Sequence, residues 1–286
     1  GSKTIIIGGE PKTIEECNPW NEEAVAARQE VAQFFNRGAY ASAAKKFRQI
    51  EGLVSGSLKP LYHALSDVAE GYNLWETLHY REAWDKLKIS LKALELSSVW
   101  GGPPGLPAVI ASIKTNASFL ESIVLDPNEV KHAIALDLLA HAKRRADRDH
   151  NIEVAMQTLL RSLEAFAQHA LLKQYKIKTW DVQVDQLPQP LQKSCQAGML
   201  DDIDGKYKLT LQAQFRTLAE LSNPMGQLFV MEWPKVKTLF DSANQSILGH
   251  GFHTTKLERF YQLYTFVLKL TKIDESSLPR FPVLTL

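Results

Sequence analysis

Apolar positions recur three and four residues apart along most of this chain, the spacing that lines one face of an α-helix. The pattern holds over residues 20–50, broken only by the turn-forming NRGAY at 36–40, and continues over 61–78 and 80–96. Further helices are predicted over 129–148, 152–175, 211–221, 233–248 and 255–270. Asn18 before Pro19 reads as a helix start, a capping amide followed by proline where its missing N–H costs nothing. KTIIIGG, residues 3–9, is the one β-like run, three isoleucines closed by two glycines. A lone strand cannot stand by itself, so it adds to a partner or ends a sheet domain otherwise missing. TWDVQVDQLPQPLQ (179–192) reads as a turn and a short segment, and the prolines of LPRFPVLTL (278–286) keep the tail extended. Apart from the first strand, the prediction is an all-α protein.

A small echo runs through the helices. Tyr40, Ala43 and Phe47 recur as Tyr80, Ala83 and Leu87, and again as Ile152, Ala155 and Leu159, at intervals of 40 and 72 residues. A turn precedes each set, and the small middle residue lets a neighbouring helix approach, as in helix hairpins. The unequal intervals exclude a regular array and favour recurring hairpins. WGGPPGLPA (100–108), with three glycines and three prolines in nine positions, is the strongest loop, and a boundary is expected there or near Pro127. The expected division is a residual N-terminal segment over 1–18, a helical-hairpin region over 19–126 and a second helical domain over 127–286.

Composition narrows the classes. The 286 residues suffice for one large or two ordinary domains, and the net charge of +1 gives no global attraction to nucleic acid or membrane. Cys17 and Cys195 are far apart with no CxxC pair, which fits a reducing cytoplasm rather than a disulfide scaffold. No apolar run approaches the roughly 20 residues that span a bilayer, so no membrane association is expected. Gly1-Ser2 resembles a cloning scar.

Candidate chemistry centres on DSANQSILGHGF, residues 241–252. On a continuous helix Ala243, Ser246, Ile247 and His250 share one face, and its small and polar residues suggest a cavity or an interface rather than core. Phe240, Leu248 and Phe252 flank that face, so two copies pressed together would bury them and bring two His250 side chains to one cleft. Gly249 and Gly251 imply that something approaches the backbone there or that the helix ends. His250 is either a functional side chain or a cap at a helix C-terminus. No HExxH occurs and no acidic pair has metal-like spacing near His250, so neither metal nor cofactor is expected.

SANQSILGHGF resembles the signature of the HEPN ribonuclease superfamily: an arginine, then a polar residue, then a histidine after four to six intervening residues. The likeness is nearest to the CRISPR-associated CARF–HEPN ribonucleases of type III systems, in which an Arg-Asn pair precedes His-Gly-Phe. Asn244, Ser246, His250, Gly251 and Phe252 match, whereas Ala243 stands at the arginine position. IIIGG, FFNRGAY, RADRDHNIEVAMQTLLRSLEAFAQ and NPMGQLF are also similar to this family, so the resemblance spans most of the chain. It implies a metal-independent endoribonuclease of antiviral defence that cleaves single-stranded RNA through its own 2′-OH, leaving a 2′,3′-cyclic phosphate and a 5′-OH. It implies a homodimer with one composite site, His250 and the arginine acting with Asn244 and Ser246. It also implies control by cyclic oligoadenylate through a CARF domain, of which residues 3–9 would be only the last strand. The alanine at 243 reads as an inactivating substitution or a degenerate site.

Arg144 and Arg145, in the basic run 141–150, are either solvated cations complementing a helix end or phosphate contacts. Arg161, three residues before Glu164, is either a local ion pair or an RNA contact. The alternative to an enzyme is a non-catalytic helical interaction module in which His250 is structural.

Overall fold

Eleven α-helices carry the computed structural model, which describes residues 2–7, 10–15, 18–56 and 58–286. The all-α prediction holds. The isoleucine run forms β1 (Ser2–Ile7), paired antiparallel with β2 (Glu10–Glu15), Ser2 opposite Glu15 and Ile7 opposite Glu10. The partner that a single strand requires is thus the next stretch of chain. Gly1, Gly8, Gly9 and Cys17, on which parts of the N-terminal readings fall, lie outside the described residues. Among the described residues no helix is long and apolar enough to cross a membrane.

The chain divides into two units, Gly1–Val124 with Phe281–Leu286, and Leu125–Arg280. The first holds α1 (Pro19–Asn36), α2 (Tyr40–Leu53), α3 (Leu58–Glu76), α4 (Tyr80–Val99) and α5 (Leu106–Val124). Asn18 caps α1 as its sequence implies, accepting from the Trp20 N–H at 3.0 Å. The echo acquires a physical meaning here: Tyr40 and Tyr80 each open a helix that folds back on its predecessor. The two turns share one hydrogen-bond pattern. Gly38 N–H donates to Phe35 O and Ala39 N–H to Phe34 O, while Leu78 N–H donates to Trp75 O and His79 N–H to Leu74 O. Gly38 and Leu78 occupy the same left-handed position, φ 84° and 64°. Leucine holds there because the turn, not its own preference, sets the backbone. Ala43, Phe47, Ala83 and Leu87 are all fully buried where each pair of helices meets.

Helix α5 was not anticipated. It starts inside the glycine–proline stretch, so the loop covers only 100–105, and it buries Val109, Ile110, Ile113, Ala117 and Leu120 at helical spacing. The tail also differs from the expected division, which placed 281–286 with the second domain. Its prolines keep it extended, and Phe281 inserts among Tyr40, Tyr72 and Trp75, with ring centroids 5.8, 4.7 and 4.8 Å away. Leu284 exchanges two hydrogen bonds with the Asn36 amide, 2.7 and 3.1 Å. A side chain at Gly105 would lie 1.7 Å from Thr285 O, so only glycine admits the tail there. Six residues cannot build a core of their own, and these complete that of the first unit.

The second unit holds α6 (His132–Asp147), α7 (Ile152–Tyr175), α8 (Gln189–Gly198), α9 (Leu211–Glu220), α10 (Pro224–Asn244) and α11 (Leu257–Thr271). Ile152 opens the third helix of the echo, Asn151 capping α7 by accepting from Val154 N–H at 3.2 Å. Helix α8, expected as a short segment, begins beside Pro188 and Pro190. The core runs through Leu139, Leu159, Leu163, Phe215, Phe229 and Phe260. At one end of the unit the termini of α6, α7, α10 and α11 gather. The Tyr261 hydroxyl of α11 donates to Asp147 of α6, and Glu153 of α7 accepts from the Thr255 N–H ahead of α11.

Candidate active site

The helix that leads to the motif was expected over 233–248. It begins nine residues earlier, at Pro224, where Asn223 accepts from Met225 N–H at 3.0 Å in the manner of Asn18 and Pro19. It continues through Pro234 and stops at Asn244. Consequently Ala243, Ser246, Ile247 and His250 do not share a helical face, and that expectation is corrected. The physical cause lies in residues 245–251. Ser246 offers a hydroxyl that competes for backbone partners, and two glycines follow that favour a turn over a helix.

After Asn244 the chain folds back over the end of α10. His250 N–H donates to Asn244 O at 2.7 Å, Gly251 N–H to Ser246 O at 3.1 Å and His253 N–H to Gln245 O at 3.1 Å. Both glycines are required by this closeness. A Cβ on Gly249 would lie 2.6 Å from Ala243 O, and one on Gly251 would lie 2.2 Å from Gln245 O. The last carbonyls of the helix, which have no partner within it, are thereby satisfied by the loop that carries the histidine.

Ala243 and Ser246 are fully buried within their own chain. The Ser246 hydroxyl accepts from Gly249 N–H at 3.1 Å and from Gln157 Nε2 at 3.2 Å, and Gln157 Nε2 also donates to Ala243 O at 3.2 Å. Phe240 is likewise buried. The flanks expected to meet a second copy are therefore those of the loop. Ile247, Leu248 and Phe252 are 56, 52 and 94 % exposed. His250 and Asn244 are exposed beside them. The histidine thus stands open to solvent on a loop locked to a helix end, beside exposed apolar side chains.

The basic residues are drawn into the fold to different degrees. Arg144 approaches the buried Asp137 at 3.5 Å, and Arg145 meets His141 at 2.8 Å and Asp149 at 2.7 Å. Arg148 closes on the same Asp149 at 2.7 Å. Burial pushes the Asp149 carboxyl up, but Arg148 and Arg145 outweigh it and hold the group below the usual carboxylate range. A carboxyl so held stays ionised, and keeps both guanidiniums, until pH falls through its lowered value. Lys143, counted in the same run, pairs with Asp147 at 2.9 Å. Arg161 pairs with Glu164 at 3.2 Å and remains half exposed. It stands one turn along α7 from Gln157. Among the described residues no three of His, Cys, Asp and Glu converge as a metal site.

Gln157, Glu153 and Thr255 were missed by sequence reasoning. The signal was there: Glu153, Gln157, Arg161 and Glu164 form a polar row at helical spacing on α7. What the row faces could not be read, because its partners lie about 90 to 100 residues later in the chain.

Residues 127–274 match the family of the Csm6 HEPN domain, and residues 24–120 match that of the Csm6 6H domain. No curated protein sequence matches the chain. The HEPN match contains the buried α10 terminus, the exposed His250 loop and the α7 row, and the 6H match covers the paired hairpins of α1 to α4. The chain belongs to the Csm6 family, a type III CRISPR-associated family of HEPN ribonucleases, with its 6H domain preceding its HEPN domain.

Proposed function

We propose that the HEPN domain of this chain is built for metal-independent cleavage of single-stranded RNA, and that the alanine at position 243 withholds one of its two principal groups. The observation that carries the reading is His250, exposed at the tip of a loop packed onto the end of α10. RNA supplies its own nucleophile. The 2′-OH attacks the adjacent phosphorus, its proton passes to a base, the P–O5′ bond breaks, and the departing O5′ takes a proton from an acid. The products are a 2′,3′-cyclic phosphate and a 5′-OH.

One imidazole cannot be base and acid in the same step, so a second imidazole, or a water that stands in for it, carries the other proton. A symmetric pair of chains joined through Ile247, Leu248 and Phe252 supplies two His250 side chains to one cleft, and closed twofold pairing is the commonest assembly of soluble chains. An arginine at 243 would stabilise charge growing on the phosphate oxygens. Asn244 is exposed and can orient the phosphate. Ser246, being buried, acts by shaping the loop. Cyclic oligoadenylate enters this reading as the activator, acting through a CARF domain, and neither of the two units is assigned that role.

Arg144 and Arg145, held by Asp137 and Asp149, serve in this reading as framework cations. Arg161 is the RNA contact, since it is half exposed and about 6 Å of helix rise from Gln157. Arg161→Gln is therefore expected to weaken binding of a single-stranded oligonucleotide about threefold to tenfold. The log–log salt dependence should become shallower by roughly 0.7, the slope per phosphate contact on a single strand. Fluorescence anisotropy on the uncleaving chain measures both. An unchanged salt slope would remove Arg161 from the interface.

The second reading, a non-catalytic helical module, draws on the alanine at 243. The two are separated by giving the chain that arginine and assaying RNA cleavage in excess EDTA, with product ends identified by mass spectrometry.

A further inference from the structure

We propose that Gln157 is the positioning residue of the motif loop, acting as a two-proton donor that fixes where His250 stands. The inference rests on the functional reading above for its catalytic meaning, but its structural content stands on geometry alone. The amide Nε2 of Gln157 lies 3.2 Å from Ala243 O and 3.2 Å from Ser246 Oγ. An amide nitrogen carries two protons, one for each of these acceptors. The first bond caps a carbonyl in the last turn of α10 that otherwise receives the Ser246 N–H at 3.3 Å. The second reaches the hydroxyl that also receives Gly249 N–H at 3.1 Å, and Gly249 is the residue before His250.

Most other polar contacts of the loop are internal to it. His250 to Asn244, Gly251 to Ser246, His253 to Gln245 and Ile247 to His253 all join residues within 244–253. They shape the loop but do not tie it to the rest of the domain. Gln157 does so at the start of the loop. Glu153, one turn earlier on α7, does so at its end, accepting from the Thr255 N–H and, at 3.3 Å, from the Thr255 hydroxyl. The histidine thus hangs between two pins set on one face of a 24-residue helix whose opposite face lies in the core. A catalytic group needs support from elements that do not move, and α7 is that element here.

Both bonds of Gln157 run outward from nitrogen, so the site requires a donor and not merely a side chain of that length. Lysine, which only donates, is expected to serve. Ionised glutamate, which only accepts, would face two oxygens.

The test compares Gln157→Glu with Gln157→Lys in two settings. In the chain as it stands, amide hydrogen exchange should quicken roughly tenfold at Gly249, His250 and Gly251 in Gln157→Glu, the loss expected for one net hydrogen bond. Exchange in α6 and α9 should not change, and Gln157→Lys should restore the loop to within about twofold. In chains that also carry Ala243→Arg, Gln157→Glu should lower kcat tenfold or more on RNA with KM little changed, and lysine should recover it. Unaltered exchange in Gln157→Glu, or equal damage from lysine, overturns the proposal. If Ala243→Arg cleaves no RNA, the functional reading fails, and the exchange result alone decides the role of Gln157.

Discussion

Ala243→Arg is expected to convert this chain into a ribonuclease, with cleavage of single-stranded RNA rising at least a thousandfold over the unsubstituted protein. A positioned cation or donor facing charge that develops in the transition state is worth about 10²- to 10³-fold, and arginines on transferring phosphoryl groups reach 10³- to 10⁵-fold. Cleavage should persist in excess EDTA. His250→Ala in the same chain should return it to background, since proton transfer by a positioned imidazole contributes about 10²- to 10⁴-fold. The site at 243 is fully buried, on the last turn of α10, one residue before the exposed Asn244. An arginine there must run its apolar stem out along the helix end to bring its head to water, which its length allows. A thermal denaturation midpoint close to that of the parent would show that the substitution is accommodated. Inert protein with an intact midpoint would count against an arginine-dependent site.

Phe252→Asp should have the second large effect, on assembly. Phe252 is 94 % exposed in the single chain and is joined by Ile247 and Leu248, an apolar group whose exposure only a partner surface would relieve. Burying a phenylalanine side chain is worth about 1.5–3 kcal/mol, and twofold symmetry counts each residue twice. Losing about 3–6 kcal/mol weakens a dimer by on the order of 10²- to 10⁴-fold, before any repulsion between the two new carboxylates. Sedimentation should show the parent as a dimer at tens of micromolar and Phe252→Asp as a monomer of unchanged fold. The same change at Lys237, away from the loop on α10, should leave association intact. A parent that stays monomeric at that concentration would refute the pairing.

Much of the fold is readable from local physics. The hairpin turns declare themselves through Gly38 and the recurring tyrosine–alanine pairs, and the start of α1 through Asn18 and Pro19. The same Asn–Pro signature at 223–224 marks the start of α10, yet Pro234 disguised it, since a proline inside a helical pattern imitates a beginning. Helix α5 hid behind the prolines at its own start. The site was half readable. The residue types from Asn244 to Phe252 pointed to the chemistry, and Gly249 and Gly251 warned that the backbone is approached closely. What approaches it is the end of the same helix, a fold-back that periodicity cannot express, because period 3.6 continues on paper through a turn that the chain takes in space. For the same reason Ser246 was expected to line a cavity or an interface and is instead buried within its own chain. Gln157 and Thr255 were beyond reach, as their roles depend on contacts across the whole domain.

The central claim is that two chains share one site, so that position 243 of one and His250 of the other serve the same cleft. Complementation between two inactive proteins tests it most directly. One partner is the chain as it stands, with its histidine but no arginine at 243, and the other carries Ala243→Arg together with His250→Ala. Mixed and allowed to exchange subunits, they should form heterodimers in which one chain supplies the arginine and the other the imidazole. RNA cleavage in EDTA should then appear in the mixture at a level neither protein reaches alone, rising and falling with the heterodimer fraction. A mixture that stays inactive while heterodimers form, and while the Ala243→Arg homodimer cleaves, would contradict the shared site.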